Sequence, residues 1–493
     1  MFPFNFNTYK MKNIYKNTRN LLLCAALLAT VVSCKKSFLE IVPKGRIIAS
    51  KTTDYTLMLN NLDLINSVAD NHAFLGDEIA AVEPTWASAP NRDKQLFKYE
   101  GDIYTQDEDA DETLAPLRAM YIYNKIINEV MQSTGGTETE KKSVRGEAMA
   151  GRAWTYFFLV NYFGKPYNPA TAATDLAFPL ITKAEVTETK FERATVQQIY
   201  DLIISDLNTA ISDVSNTGVS FRTRLSKATA KGILAKVYQS MGRHADALTL
   251  LNQSIAEIPG QGAAVVVALY NYNTALPGFP TTVNDTENIY SKSITNALVF
   301  STNRLLYLTP EAAALFDPAD LRLAPAFYAV QATPVTAAIP TGRLIRRTGT
   351  TVTHFGLRLA DLYLMRAEEK ARMDDLPGAV ADVEFLRKNR LPNAVGATPA
   401  KWPVPAAIAS SKLPLIQFIL QERIREFAAQ GYRWYDMRRL SVDPLFSTPA
   451  YTHKVYNTVT GFVTESFTLK PERWVFKFSP KIMGENPGLV NNP

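Results

Sequence analysis

Cysteine is nearly absent from this chain. Of 493 residues only Cys24 and Cys34 are cysteines, and both lie near the N-terminus. The rest of the chain therefore holds no disulfide, no free thiol and no Cys-ligated metal, and must be stabilised by its core. Histidine is as scarce. His72, His244, His354 and His453 stand far apart, so no zinc spacing appears and each reads as an ordinary surface or core histidine. There is no Gly-x-Ser-x-Gly, no phosphate-binding loop and no His-Glu-x-x-His. No apolar run reaches the ~20 residues that cross a hydrocarbon layer of ~30 Å. No cofactor and no metal site are expected.

Excess charge is missing too, once the N-terminus is set aside. The whole chain carries +6, but residues 1–33 hold four basic residues (Lys10, Lys12, Lys16, Arg19) and no acid, so the remainder carries +2. A near-neutral body gives no electrostatic footprint for nucleic acid. What those first residues do contain is an address. A basic head leads into the apolar stretch Leu21 to Val32, and Val31-Val32-Ser33-Cys34 closes it. Ser33 offers the small side chain that a signal peptidase requires, and the Cys34 thiol can take a diacylglyceryl group. This is the bacterial lipobox pattern. We expect residues 1–33 to be a lipoprotein signal peptide, translated from Met1 or Met11, and Cys34 to carry lipid. Residues 34–50 then read as a tether.

Length alone suggests two to four domains. Along the chain, Thr52 to Leu64 reads as a first helix and 69–112 as an irregular insertion. Its acidic end, from Asp102 to Glu112, lacks the ordering of an EF-hand loop and reads as a solvated helix N-terminus. Helices are expected over Leu114–Gln132, Thr139–Phe163 and Thr195–Ile211. In the last, Val196, Ile199, Tyr200, Ile203 and Leu207 recur three or four apart on one face. Ser226–Met241 and His244–Ile258 form a helix pair in which Leu234, Ala235, Tyr238, Gly242, Ala247, Leu251 and Pro259 have tetratricopeptide-like spacing. A second pair, Leu357–Met373 and Leu376–Asn389, places Ala367 and Ala379 at the separation of Ala235 and Ala247. The stretches 260–353 and 392–414 read as loop-rich insertions, Leu415–Gln430 as a helix, and 471–493 as an extended tail.

The stretch Ile419-Leu420-Gln421-Glu422-Arg423-Ile424-Arg425-Glu426-Phe427, with Gly431-Tyr432-Arg433-Trp434-Tyr435-Asp436-Met437-Arg438-Arg439, resembles the C-terminal signature of the SusD/RagB family. Arg145-Gly146-Glu147-Ala148 with Arg152-Ala153-Trp154, the run from Arg358 to Glu368, and the ending Asn486-Pro487-Gly488-Leu489 agree with it in order. The resemblance implies a mainly α fold, residues 51–493 forming one domain. Its tetratricopeptide-like helix-pair scaffold, mainly 114–259 and 357–440, would carry the insertions as a ligand face. It also implies a lipid-anchored outer membrane protein, exposed at the cell surface, that hands a nutrient to a SusC-like TonB-dependent transporter. One departure is that Lys35 and Lys36, rather than acids, follow the lipidated position.

For chemistry, Glu422 and Glu426 are one helical turn apart amid Arg423 and Arg425. Two carboxyls facing across a cleft of ~5–9 Å would suit glycoside hydrolysis; this spacing suits ion pairs, and we expect no enzyme. Arg433, Asp436, Arg438 and Arg439 read as ties between the last helix and the scaffold. Trp154, Tyr156, Phe157, Tyr238 and Trp434 sit at helical packing positions. Sugar rings stack their C–H faces on aromatic planes, so aromatics on loops are the binding candidates: Trp86, Tyr104, Tyr270, Tyr272 and Trp402. The expected ligand is an oligosaccharide or polysaccharide, with an oligopeptide as the alternative and a glycoside hydrolase as the outside reading from a different class.

Overall fold

The computed structural model describes residues 49–493 except 67–68, 186, 188–189, 259–264, 275–284, 296–304, 326, 331–344, 348–351, 448 and 458. The signal segment, Cys34, almost all of the tether and Pro259 lie outside the described residues. Residues Lys51–Pro493 form one compact unit.

We number the principal elements α1 Thr52–Met58, β1 Ile79–Val82, α2 Asp111–Glu129, α3 Glu138–Phe163, α4 Val196–Asp213, α5 Lys227–Ser240 and α6 His244–Glu257. There follow β2 Leu306–Leu308, β3 Tyr328–Val330, β4 Ile345–Arg347, α7 Leu359–Arg372, α8 Leu376–Arg387, α9 Lys412–Phe427 and α10 Tyr432–Leu440. The last are β5 Thr452–Tyr456, β6 Val463–Thr468 and α11 Pro480–Glu485. The architecture is mainly α.

Helix α3 is the axis. Thr137 caps it through Glu140 N while the Glu140 carboxylate returns to Thr137 N, so two orphan N–H groups are satisfied. From Ala150 onward its side chains are buried all round, as in a helix enclosed by neighbours. It packs against α2 on one side and α4 on the other. The predicted stripe of α4 is buried throughout, from Val196 to Leu207. Each such side chain stabilises the fold by about 1.5–3 kcal/mol relative to exposure.

The two helix pairs are formed as the spacing predicts. Ser226 caps α5, and Gly242 makes the turn into α6 with φ of +72°, which a side chain would strain. Ala235, Ala247, Ala367 and Ala379 are all fully buried. These small residues permit the close approach of α5 to α6 and of α7 to α8. Helix α6 packs on α7, and α7 on α9, so the pairs join one scaffold.

The structure differs from expectation in three places. The first helix is shorter, ending at Met58, with a separate 3₁₀ turn at Leu62–Leu64. The 69–112 stretch is not an irregular surface insertion. Its β1 strand, Ile-Ala-Ala-Val, is wholly buried and is an inner strand of a six-stranded sheet of order β6-β5-β1-β2-β4-β3. It pairs parallel with β5 (Ala81 opposite Val455) and antiparallel with β2 (Ala80 opposite Tyr307). The tail is not simply extended, because it includes α11 and a 3₁₀ turn at Pro471–Trp474.

At the acidic end of 69–112, Asp102 and Asp109 pair with Lys477 and Lys481, while Arg92 bridges Asp70, Asp93 and Asp111. Glu112, read as solvated, is instead fully buried. It accepts from Asn71 Nδ2 at 3.0 Å and from the Tyr104 hydroxyl.

Candidate functional site

Helix α8 starts on Asp375, whose carboxylate accepts from Gly378 N, with Pro377 in its first turn. Its C-terminal end, continued by Lys388 to Leu391, gathers three of the five candidate aromatics. The segment Tyr270–Asn273 lies along it: Tyr272 N donates to Asn389 O at 2.9 Å, and Asn273 Nδ2 donates to Lys388 O and Leu391 O at 3.1 and 3.2 Å. Trp402 is held on the same helix end. Arg387 Nε donates to Trp402 O at 2.7 Å, and Lys388 Nζ lies 4.3 Å from the indole centroid. Tyr270, Tyr272 and Trp402 are each partly exposed, and the Tyr272 ring also packs on Phe327 at 4.7 Å between centroids and under Arg390 at 4.8 Å.

The other two candidates are elsewhere and are buried. Trp86 is 3% exposed, its Nε1 donates to Glu465 at 2.7 Å, and its ring packs on Phe97 and Phe467. Tyr104 is 8% exposed and takes a hydrogen bond from Arg92 Nε at 3.3 Å. Neither ring is open enough to carry a sugar. The expectation for both gives way to a structural role, because the stretch that reads as loop is drawn under the sheet by β1.

Beneath Tyr270 and Tyr272 is a small polar cavity of about 30 Å³. Asp285, Glu287, Arg322, Arg358, Glu426 and Gln430 are among the residues that line it. Its floor is a network of ion pairs. Glu426 accepts from Arg390 Nε and Nη2, both at 2.9 Å, and from Arg322 Nη1 at 3.0 Å. Glu422 pairs with Arg387, Arg425 and Arg322 at 2.6–2.8 Å. Burial alone would raise both carboxyls. The surrounding guanidinium groups hold Glu422 well below the usual carboxylate range and Glu426 below it. Asp285 and Glu287 go the other way: burial raises both, with Glu426 and Asp285 adding repulsion at Glu287.

Sequence reasoning placed Glu422 and Glu426 in ion pairs, and they are there. It also placed the α10 group as ties. Arg433 pairs with Asp77, Asp436 with Arg423, and Arg439 with Glu368, while Arg438 donates to Gly164 O and to Asn161 Oδ1. It missed Arg358, Asp285, Glu287 and Gln430 as lining of one cavity. No spacing signal marks them, since they come from three separate segments, with only Asp285 and Glu287 near each other in sequence.

A second, larger cavity of about 420 Å³ lies between α2, the 178–191 segment and the tail. Leu117, Met120, Phe178, Phe478, Ile482 and Leu489 give it mostly apolar walls. None of the five aromatic candidates lines it.

Comparison with known proteins follows the fold closely. A family profile described as "Starch-binding associating with outer membrane" matches residues 39–239, and one described as "SusD family" matches residues 341–493. No curated protein sequence matches. Among solved structures, a SusD superfamily protein from Bacteroides vulgatus is 20% identical with a TM-score of 0.66, covering 90% of this chain and 99% of its own. A SusD superfamily protein from Bacteroides thetaiotaomicron is 17% identical with a TM-score of 0.65, covering 90% and 100%. A SusD-like carbohydrate binding protein, also from Bacteroides vulgatus, is 16% identical with a TM-score of 0.63, covering 90% and 98%. At such identities the structures speak for the fold alone, and the fold is the one the profiles describe. The profile matches together span most of the chain, with the C-terminal signature and the helix-pair scaffold in place between and within them, and the chain belongs to the SusD family.

Proposed function

We propose that this protein is a surface lipoprotein, anchored through Cys34, that binds an extracellular oligosaccharide or polysaccharide. It passes the ligand to a SusC-like TonB-dependent transporter without cleaving it. The observation that carries this reading is the convergence of Tyr270, Tyr272 and Trp402 on one helix end in a member of the SusD family. Aromatic faces beside amide and cationic donors are the chemistry that recognises sugar rings and their hydroxyls. Two further facts support it. The first profile is described as starch-binding and outer-membrane-associated, and a similar structure is described as carbohydrate binding. Among the described residues no helix is long and apolar enough to cross a membrane, which suits a protein held by lipid.

Binding rather than hydrolysis is favoured by the state of Glu422 and Glu426. Both are buried and committed to arginines, so neither is free to take a proton from water or give one to a leaving group. The test is a glycan array on purified protein, followed by product analysis. Binding without turnover, weakened in Trp402→Ala, supports the reading; turnover, or capture of peptides in place of every glycan, overturns it. Cys34→Ala should release the protein from the membrane fraction. Protease shaving of intact cells tests whether it faces outward despite Lys35 and Lys36.

A further inference from the structure

Arg358 is the one cation lining the cavity under Tyr270 and Tyr272 that forms no ion pair within 4 Å among the described residues. Its neighbour Arg322 is bound by Asp320, Glu422 and Glu426. The acids on the same walls have closer partners, Glu426 in Arg390 and Arg322, Glu287 in Arg390, and Asp285 in His354 at 3.3 Å, while the charge of all three also acts on Arg358 from beyond contact distance. Arg358 is 7% exposed, and its guanidinium stands 4.7 Å from the Phe427 ring centroid. Its Nε and Nη2 have no acceptor among the described residues. Those two N–H groups form the side edge of the guanidinium fork, the edge that meets the two oxygens of a carboxylate in parallel. Gln430, 3% exposed on the same cavity, has an Oε1 with no donor among the described residues.

The size and the rim narrow the ligand. A volume of about 30 Å³ is room for about two waters, which is too little for a pyranose ring and enough for one carboxylate. Of the residues lining the cavity only Tyr270 and Tyr272 are more than slightly exposed, so these tyrosines are its mouth. A ring lying on them can direct one substituent inward. A carboxylate presented this way meets the free edge of Arg358, and a neighbouring hydroxyl can donate to Gln430 Oε1.

We propose that this cavity is a subsite for the carboxylate of a uronic acid, so that the glycan bound by the protein is an acidic one. The proposal rests on the glycan-binding reading above and adds the substrate class. It also names Arg358 as the residue that selects that class, with Tyr270 and Tyr272 placing the ring.

The test is isothermal titration calorimetry on the full chain in detergent. The probes are oligosaccharides of galacturonate, glucuronate and mannuronate, their methyl esters, neutral oligosaccharides of equal length, and a set of acidic peptides. At least one uronate series should bind, and methyl esterification should weaken it tenfold or more, because the ester lacks the charge and the second equivalent oxygen. Arg358→Lys, which keeps charge but loses the fork, should weaken uronate tenfold. The ester comparison uses the unaltered protein, so it stands even where the variant does not fold. Binding of neutral sugars as tightly as uronates overturns the carboxylate subsite and leaves glycan binding intact. Failure of all uronates overturns it as well. Capture of acidic peptides with no glycan bound overturns both readings.

Discussion

Arg390 and Glu426 meet fork to fork: Nε donates to one carboxylate oxygen and Nη2 to the other, each at 2.9 Å, with both side chains buried. The pair joins the chain leaving α8 to the end of α9. Arg390 also holds Glu287 Oε1 and Tyr270 O, each at 2.6 Å. The ion network and the mouth of the candidate site therefore share one guanidinium. Arg390→Met should cost about 3–5 kcal/mol, because it strips two buried carboxylates of a partner. Urea denaturation checks this. In the double variant Arg390→Met/Glu426→Leu the losses should add to less than their sum. A single-variant loss under ~1 kcal/mol would show that the network carries little of the fold's stability.

Trp86 and Trp402 should separate stability from binding. Trp86→Ala empties a buried, hydrogen-bonded site and should cost about 3–5 kcal/mol, visible as a lowered Tm. Trp402 is partly exposed, so Trp402→Ala should leave Tm nearly unchanged and weaken glycan affinity. If Trp86→Ala folds as well as the unaltered chain and loses the ligand instead, the assignment of the two tryptophans is reversed.

Gly431 introduces α10 with φ of +88°, and a Cβ there would lie 2.2 Å from His72 Cδ2. Both the left-handed backbone and the contact oppose any side chain. Gly431→Ala should destabilise by about 2–4 kcal/mol. Gly242, at φ of +72° with open space around it, carries only the backbone term. Gly242→Ala should cost about 1 kcal/mol. Equal losses in the two variants would mean that His72 yields readily.

Glu78 gives a pH-dependent prediction. It is 3% exposed, its Oε2 has no donor among the described residues, and burial, then repulsion from Asp77, raises its carboxyl from 4.5 to about 7. A carboxyl whose folded pKa lies above its unfolded one binds its proton more tightly in the fold. The cost of ionising it therefore grows as pH rises from about 4.5 to about 7 and is complete above that. Glu78→Gln should stabilise the protein by about 1–3 kcal/mol at pH 8 and by almost nothing at pH 4. Denaturation midpoints at the two pH values measure it; an equal effect at both would show that the gain is not electrostatic.

The helices were legible because their instructions are local. The box Thr137–Glu140, the stripe from Val196 to Leu207, and the alanines at 235, 247, 367 and 379 all act within one helix or between neighbours in sequence. Each is found capped or buried as its spacing predicts. The same locality made the pairing of Glu422 and Glu426 readable, since one turn with flanking arginines leaves few other arrangements. For the candidate site the sequence offered aromatic residue types but not their company. It named Tyr270, Tyr272 and Trp402 alongside Trp86 and Tyr104 without separating them.

Tertiary structure made that separation. Four residues, Ile79–Val82, carry too short a pattern to announce a strand. Their partners are Leu306–Leu308 and Val455–Tyr456, more than 200 and 350 positions away. Such pairing has no local signature, yet it decides that Trp86 is core. Likewise Arg358 belongs to a run whose spacing says only "helix pair". It becomes a candidate ligand contact because Asp285, Glu287, Glu426 and Gln430 converge around it from distant segments. Periodicity and capping residues determined which stretches become helices, and the motifs from Ile419 to Arg439 carried the family resemblance. Which side chains line a cavity and keep an unmet hydrogen bond depends on long-range packing, and only the folded chain holds that information.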